Sequence, residues 1–372
     1  MLDSQNKILI PFSHGDCLDR LCILYLKREY NNDNDKAIYI EREIKEIQEA
    51  CNGIILTDLS ESFYSRKLYD TNRKMYNIQD ELHEHGISPQ KEHQLMKMLN
   101  DENDRRSRLK VKINSGQYLK EIKTYKNSIC ILLGHNGLGD HIFCIGMIRY
   151  FSASFDQVDV VCFPHNLNTL KQLFADDINI RFLPTESESP LVNITNQEVA
   201  EAKWRETTSK YTYAMRLGFH SFQHFNLSDF PLCFYIQAGI NVKIIRDWFH
   251  VCNVKDTILP SHSRFQFVHS VSSSKTASIP DDIILLNVFI IDPDKNHYHP
   301  EHLFHAEAQK FIGLPFHMYI EVIRRAERIV AIDSSFFCLA LMINNEAIHT
   351  CFSRDGRSYD NISTKPLKYV KI

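Results

Sequence analysis

After residue 126 the sequence alternates between short apolar runs that favour β-strands and runs in which apolar residues recur at helical spacing. Strand–helix–strand alternation of this kind is typical of a parallel sheet covered by helices. The first series consists of strands at 128–135, 158–164 and 178–184, helices at 139–153 and 166–175, and helical material at 196–217. The sequence therefore predicts a Rossmann-like α/β domain over residues 127–250.

A second series of the same kind follows. Its strands are predicted at 264–270, 282–289, 328–333 and 347–353, and its helices at 316–327 and 334–343. This series predicts a second Rossmann-like domain over residues 251–372. Two such domains form a cleft between their facing strand ends, and ligands bind outside the carboxyl ends of parallel strands.

The first 126 residues differ in composition and pattern: they are rich in charged residues, and their apolar residues recur mostly at helical spacing. Helices are predicted at 16–30, 36–51, 65–86 and 88–114, with a short strand at 53–60. Ser88 and Pro89 suit an N-cap and a first helical position. The sequence predicts a mainly helical accessory domain over residues 1–126, and we find no catalytic constellation in it.

Composition excludes several classes of partner. The net charge of −3 does not favour binding to nucleic acid or to an anionic membrane, because both attract positively charged proteins. No apolar run approaches the roughly 18 residues of a membrane span, and the N-terminus lacks the pattern of a secretory signal. The 10 cysteines are scattered singly without a CxxC pair, which favours a reducing compartment. A cytoplasmic protein is expected.

The run ILLGHNGLGDHI concentrates glycine in a glycine-poor chain: three of the 12 glycines, Gly134, Gly137 and Gly139, fall within it. Glycines between a strand and a helix let the backbone approach a ligand, and a helix N-terminus favours an anion. The spacing is not that of a dinucleotide fingerprint. Asp140, directly after the last glycine, suits either a general base in a cleft or an acid placed at a helix start. The loop alone leaves both interpretations open.

Two features of the second series suit a diphosphate. The strand at 264–270 runs into a serine-rich loop that ends at Lys275, where hydroxyls, amides and an ammonium could contact phosphate. Asp333, Ser334 and Ser335 stand where a strand passes into a helix. Serine at such a turn either caps the helix or accompanies amides that hold a phosphate.

Together these three elements resemble glycosyltransferase family 9, the heptosyltransferase-like group with the GT-B architecture, over residues 128–360. The family's Gly-Leu-Gly-Asp loop is matched by Gly137 to Asp140, and FVHSVSSSK matches the loop that opens its second domain. Its Asp-Thr-Gly-x-x-His turn is matched only partly, because Ser335 replaces the glycine and Cys338 replaces the histidine.

The resemblance implies an α/β, GT-B-like pair of Rossmann-like domains and an inverting, metal-independent transfer from a nucleotide sugar to a hydroxyl of a glycan or glycoconjugate. The nucleotide sugar is then a substrate, and no cofactor is expected. Asp140 would be the catalytic base. The implied donor-binding residues are Ser273, Ser274, Lys275, Asp333, Ser334 and Ser335, and the implied loop residues are Gly137, Gly139 and His141.

Residues 6–126 resemble a small domain family of unassigned function, seen alone or joined to transferases. The matching stretches are ILIPFSHGDCLDRLCILYLKRE, TNRKMYNIQDELHEHG and NDENDRRSRLKVKIN followed by EIKTYK. Tyr76 stands where tryptophan is usual, which concerns packing. This resemblance implies no activity.

One histidine cluster has spacing that can bind zinc, but it lacks an HExxH pattern or a cysteine partner. Its members are His297, His299, His302 and His305, with Glu301 and Glu307. We expect a polar loop over the cleft and no metal. Arg354 and Arg357 could meet a phosphate, although surface arginines are the default.

Two alternatives to a glycosyltransferase stay open. A non-catalytic nucleotide-sugar-binding scaffold is favoured by the departures at Ser335 and Cys338. A methyltransferase would account for the strand, glycine loop and helix but leaves the second Rossmann-like domain unexplained.

Overall fold

The computed structural model describes residues 13–50, 62–84, 87–114, 127–134, 136–186, 197–218, 229–252, 257–272, 276–280, 284, 288–344, 346–353 and 358–371. The chain divides into two compact units. Unit 1 comprises Met1–Lys126, Ala153–Asp156 and Asp176–Ile178, and unit 2 comprises Asn127–Ser152, Gln157–Ala175 and Asn179–Ile372. The three-domain division made from the sequence, with its boundary near residue 250, stays a prediction.

Unit 1 is built from helices. Those described are α1 (His14–Tyr30), α2 (Asn34–Ala50), α3 (Phe63–Leu82) and α4 (Pro89–Ile113). As the Ser-Pro pair predicts, the Ser88 hydroxyl accepts a hydrogen bond from the Lys91 amide and Pro89 begins α4. The strand predicted at 53–60 lies outside the described residues.

Leucine side chains at helical spacing form the apolar core of unit 1. Leu18 and Leu21 of α1, Leu68 of α3 and Leu109 of α4 are fully buried. α3 packs along α4, and α1 packs against both. The charged faces seen in the sequence are the solvent-exposed faces of these helices, as the amphipathic pattern predicts.

A buried ion pair also lies in unit 1. Lys112 Nζ is 2.5 Å from Asp177 Oδ1, and the two side chains are 1% and 0% exposed. The Tyr64 hydroxyl donates to the other carboxylate oxygen at 2.7 Å. Removing one member of such a pair leaves a buried charge without its counter-ion, which costs far more than loss of an exposed pair.

Unit 2 contains two parallel sheets, and the first has the strand order β3-β2-β1-β4. Its strands are β1 (Ser128–Leu133), β2 (Gln157–Cys162), β3 (Ile180–Pro184) and β4 (Tyr213–Leu217). The helices that accompany them are α5 (Leu138–Phe143), α6 (Ile145–Ser152), α7 (Leu167–Leu173), α8 (Gln197–Thr208), α9 (Cys233–Gln237) and α10 (Ile244–Asp247). β1 is buried along its whole length, as a central parallel strand requires.

The structure differs from the sequence prediction at 196–217, where a helix is followed by a strand. α8 ends at Thr208, and the chain then forms β4 beside β1. Ala214 to Leu217 are good helix formers, but pairing with a central strand overrides that preference. The Arg216 guanidinium is buried there because Glu201 Oε2 accepts from its Nη1 at 2.7 Å.

The second sheet has the strand order β6-β5-β7-β8-β9, also parallel throughout. Its strands are β5 (Phe265–His269), β6 (Phe289–Ile291), β7 (Arg328–Ile332), β8 (Ile348–Ser353) and β9 (Lys368–Lys371). Its α-helices are α11 (His305–Ala308), α12 (Ile320–Arg325) and α13 (Ser335–Ile343). The core between sheet and helices includes Val268, Ile290, Val330, Ile332 and Phe352.

Most predicted elements of unit 2 are present, with local differences. The helix predicted at 139–153 is interrupted at Cys144, and the strand predicted at 282–289 is observed as β6, at 289–291. β9 has no counterpart in the prediction. Two parallel sheets with helices and a helical unit 1 confirm the predicted α/β fold class. Among the described residues no helix is long and apolar enough to cross a membrane.

Replacing Asp177 with asparagine should destabilise unit 1 strongly, because Lys112 would keep a buried charge without a counter-ion. We expect the free energy of unfolding in urea to fall by about 3–5 kcal/mol. The matched control is Glu81→Gln, since Glu81 pairs with Lys91 at 3.4 Å where both side chains are 47% exposed. That change should cost less than about 1 kcal/mol. Equal costs for the two variants would contradict the burial of the Lys112 pair.

Candidate functional site

Each sheet of unit 2 has one point at which the strand order reverses direction. In the first sheet the chain runs from β1 through β2 to β3 on one side, and β4 lies on the other side of β1. In the second sheet β6 lies on one side of β5, and β7, β8 and β9 follow on the other. The loops that leave neighbouring strands at such a point diverge and open a crevice at the carboxyl edge, which is where open α/β sheets bind ligands.

The glycine loop leaves β1 at the reversal point of the first sheet. The Gly134 amide donates to the Leu217 carbonyl of β4 at 2.5 Å, and a Cβ at Gly134 would lie 3.2 Å from the Gly218 carbonyl oxygen. Gly134 therefore allows the two strands to approach closely at their ends. Asn136 follows with φ 58°, a left-handed conformation that asparagine tolerates better than most residues.

Asp140 lies in the first turn of α5, which begins after the N-cap residue Gly137. Its side chain is partly buried. Burial raises the pKa of the Cys233 thiol to about 12, and the charge of Asp140 adds to the effect. The carboxylate predicted as a base thus follows the carboxyl end of β1 in the first sheet.

His141 has a different position, because it is fully buried beneath the loop. Its Nδ1 lies 2.8 Å from the Gly137 carbonyl oxygen, and its Nε2 lies 3.1 Å from the Val161 carbonyl oxygen. Burial lowers the pKa of His141, against the opposing effect of the two carbonyls and Asp140. The neutral imidazole has one N–H and donates it to one of the two carbonyls, and its buried ring packs between the glycine loop and β2.

The reversal point of the second sheet lies between β5 and β7, and it brings His269 to Ser334. His269 is the last residue of β5, and Ser334 is the N-cap residue of α13. The Ser334 side chain makes no capping hydrogen bond to its helix, and its Oγ lies 3.1 Å from His269 Nδ1. Ser334 occupies the N-cap position, but its hydroxyl does not cap the helix, so the capping interpretation of this side chain is wrong. Ser335, the first residue of α13, is partly buried beside it.

Two carboxylates from the loop after β6 complete this cluster. Asp294 Oδ2 lies 3.3 Å from His269 Nε2. Asp292 is buried, its Oδ2 lies 2.8 Å from His297 Nε2, and its Oδ1 accepts from the Asp294 amide at 2.8 Å. Burial raises the pKa of Asp294, and the charge of Asp292 raises it further. Ser334, His269 and Asp294 form a continuous polar chain at the carboxyl edge.

Asp333 is buried, and its carboxylate binds the Tyr359 hydroxyl. The Tyr359 hydroxyl donates to its Oδ1, and the Asp333 amide donates to the Phe352 carbonyl at 3.0 Å. Burial raises the pKa of Tyr359 well above its ordinary value, with Cys338 and Asp333 adding to it. This carboxylate fixes the turn that presents Ser334 and Ser335.

The first turns of α5 and α13 meet within unit 2. A Cβ at Gly139 would lie 3.2 Å from Cys338 Sγ. Phe143 of α5 stacks on Tyr359 with 5.6 Å between ring centroids, and Phe337 of α13 contacts the same ring at 5.7 Å. These contacts bring Asp140 and Ser334, predicted separately from the two series, to neighbouring helix starts.

Several predicted residues lie outside the described ones: Ser273, Ser274, Lys275, Arg354 and Arg357. The ends of the loop that carries Lys275 are described. Val271 forms an antiparallel bridge with Thr276, and the Ala277 amide donates to the Ser270 carbonyl at 2.8 Å.

Three histidines of the 297–305 cluster, His297, His302 and His305, have separate partners. His297 binds Asp292, His305 Nδ1 lies 2.9 Å from the Tyr298 carbonyl oxygen, and His302 Nδ1 accepts from the Phe304 amide at 3.1 Å. Within the described part of the chain no group of three or more His, Cys, Asp or Glu side chains could hold a metal ion.

Sequence reasoning missed His269, Asp292 and Asp294. His269 lies at the end of a correctly predicted strand, and the two acids follow β6 directly. A search for polar side chains at the carboxyl ends of predicted strands would have found His269. Asp292 and Asp294 were missed because the strand was predicted at 282–289, whereas β6 extends to Ile291, so the two acids did not follow the predicted strand directly.

No protein-family model and no curated protein matches the chain. Similar solved structures include the iron-containing dodecameric glycosyltransferase TibC of enterotoxigenic E. coli H10407, at 10% identity, 66% coverage of this chain and TM-score 0.42. The chain spans 62% of the length of TibC. Another is the E. coli heptosyltransferase WaaC with ADP-2-deoxy-2-fluoro heptose, at 9% identity, coverage of 65% of this chain and 92% of that chain, and TM-score 0.38.

A third is the glycosyl transferase family 9 protein of Veillonella parvula DSM 2008, at 10% identity, coverage of 66% of this chain and 86% of that chain, and TM-score 0.39. It bears the name of the family that the three sequence motifs resemble. At such identities these likenesses concern the fold alone.

The contact between α5 and α13 can be tested by a double-mutant cycle. Gly139→Val should destabilise the protein by about 1–3 kcal/mol, because the added side chain overpacks against the Cys338 sulfur. Cys338→Ala in the same background should recover part of that loss, since it removes the atom in the way. Urea unfolding of the four proteins gives the coupling energy. A coupling energy near zero would contradict the contact.

Proposed function

We propose that this chain is a glycosyltransferase that moves a sugar from a nucleotide-sugar donor to an acceptor hydroxyl. The observation that carries the proposal is the meeting of the two helix starts, where Gly139 contacts Cys338. It packs the helix start that carries Asp140 against the helix that begins at the Ser334–Ser335 turn. An acid able to take a proton and a turn able to hold a diphosphate are the two parts that such a transfer needs.

On the acceptor side, Asp140 is the proposed general base. In the first turn of α5 its carboxylate can accept the proton of an acceptor hydroxyl while that oxygen attacks the anomeric carbon. A single displacement by this oxygen inverts the configuration at that carbon. Gly137, where an added Cβ would lie 3.7 Å from Asp140 Oδ2, lets a substrate approach the backbone beside that carboxylate.

On the donor side, the diphosphate is proposed to rest on the Ser334–Ser335 turn and on the loop of Ser273, Ser274 and Lys275. The first amides of α13 and the serine hydroxyls donate hydrogen bonds, and the Lys275 ammonium supplies positive charge. These groups can neutralise a leaving diphosphate without a metal, so we propose that transfer persists in a chelator. Asp333 holds the turn through Tyr359.

A thermal-shift screen tests the donor assignment, because a ligand that binds the folded state raises its melting temperature. UDP-glucose, ADP-glucose and GDP-mannose serve as probes, with S-adenosylmethionine as the comparison ligand. Stabilisation by a nucleotide sugar alone is the expected result. Stabilisation by S-adenosylmethionine alone would replace the proposal with a methyltransferase.

Asp140→Asn should abolish turnover while leaving the fold and donor binding intact. Loss of a general base lowers a rate by roughly 10²–10⁴-fold, whereas a helix-start acid contributes only about 0.3–1 kcal/mol of stability. The matched control is Glu321→Gln, which removes a first-turn acid from α12 whose carboxylate pairs with Arg324 and Arg325. Transfer and donor hydrolysis would be measured by release of the nucleoside diphosphate.

Near wild-type transfer by Asp140→Asn would remove Asp140 from catalysis. If the wild-type protein binds a nucleotide sugar but neither transfers nor hydrolyses it, the chain is a binding scaffold.

A further inference from the structure

His269 is a buried imidazole with a different partner on each ring nitrogen. Nε2 faces Asp294 Oδ2 at 3.3 Å and Nδ1 faces Ser334 Oγ at 3.1 Å. Phe336 packs edge-on against the ring, with 4.6 Å between centroids. The mechanism proposed above gives this side chain no role, although it contacts the serine that the donor diphosphate would meet.

The partners decide where the imidazole carries its hydrogen. A carboxylate oxygen only accepts, so the neutral ring of His269 carries its hydrogen on Nε2, which faces Asp294 Oδ2 at 3.3 Å; a lone pair on Nε2 would be repelled by that oxygen. Nδ1 then has a lone pair and accepts the hydrogen of the Ser334 hydroxyl. In the unliganded protein the one hydrogen of that hydroxyl is thus directed at His269.

In this arrangement the Ser334 hydroxyl cannot donate a hydrogen bond to a diphosphate. Phosphate oxygens accept hydrogen bonds, and the Ser334 oxygen would offer them its lone pairs. A proton on Nδ1 reverses the direction of the hydrogen bond. The imidazolium donates to the Ser334 oxygen, and the hydroxyl hydrogen becomes available to the phosphate.

We propose that binding of the donor diphosphate at Ser334 is coupled to uptake of one proton by His269, whose ring Asp294 holds in place. The inference rests on the proposed function, since it takes the Ser334 turn as the diphosphate site. The proton comes from solvent and goes to Nδ1, and no covalent bond changes. His269 is a positioning residue, because it acts on the ligand through the Ser334 hydroxyl.

The electrostatic surroundings support the coupling. Burial lowers the pKa of His269 to about 4, against an opposing effect of Asp292, so the unliganded imidazole is neutral at pH 7. Among the described residues the charged groups around it are Asp294 in contact, then Asp292, which binds His297, and Lys295 beside Asp294. A diphosphate adds negative charge next to Ser334, which raises the pKa of the imidazole.

Isothermal titration calorimetry of the full chain measures the coupling. The probe is whichever of UDP-glucose, ADP-glucose and GDP-mannose stabilises the protein most, because both phosphates of a nucleotide sugar are esterified and do not titrate near neutral pH. Titrations in buffers of different ionisation enthalpy give the number of protons taken up. We expect net uptake, and an association constant that rises as pH falls, by up to about tenfold per pH unit.

His269→Asn separates this role from a structural one. The asparagine amide can donate to Ser334 from near the position of Nδ1 without titrating, so the variant should bind with no proton uptake and with affinity independent of pH. A merely structural histidine would lose affinity equally at every pH. If the variant fails to fold, the wild-type titrations in different buffers still show whether binding is coupled to proton uptake.

The control variant is His349→Asn. Burial lowers the pKa of His349 to about 4 as well, but this histidine lies on β8, where it contacts Phe337 and the Asn344 backbone. Proton uptake on binding should stay at the wild-type value in this variant.

The outcomes separate the inference from the function. Nucleotide-sugar binding by the wild type without proton uptake overturns the coupling and leaves the donor site standing. Uptake that persists in His269→Asn overturns the assignment to His269. Failure of the wild type to bind any of the three probes overturns the proposed function and this inference with it.

Discussion

The close approach of α5 and α13 is the contact on which the candidate site depends. It is possible because position 139 has no side chain and position 338 has a small one, so that the thiol of Cys338 occupies the space beside Gly139. The family that the sequence resembles has histidine where Cys338 stands. A larger side chain here would have to displace one helix start from the other. The departure at this position is thus part of how the two halves of unit 2 pack, and it does not by itself argue against a functional site.

Buried polar groups hold the surrounding backbone in place. The buried ring of His141 lies between the Gly137 and Val161 carbonyls and donates to one of them, and Asp333 accepts from Tyr359 beneath the serine turn. Both are sequence-predicted site residues, and both are buried at the carboxyl edge. Buried hydrogen bonds of this kind in a low-dielectric interior make a loop costly to rearrange. The residues left partly accessible, Asp140, Ser334 and Ser335, are those with chemistry suited to substrate.

Local signals in the sequence were enough for much of the fold. The Ser88–Pro89 pair predicted the start of α4, and the apolar run at 128–135 predicted the central strand β1. β4 was missed because its helix-forming residues become a strand only by pairing with β1, some 80 residues earlier in the chain. The His269–Asp294 contact was missed for a related reason. It depends on β5 and β6 being neighbours at the same edge of a sheet, which no local pattern reports.

The thiol of Cys338 gives the molecule a built-in reporter. Its side chain is 4% exposed and lies against the start of α5. A thiol reagent can reach this sulfur only when the two helix starts separate or the core of unit 2 opens. The alkylation rate of Cys338 therefore reports how often the contact between the two helix starts opens in the folded protein. Substrates that draw the two halves together would slow that reaction, and ligands that hold them apart would speed it.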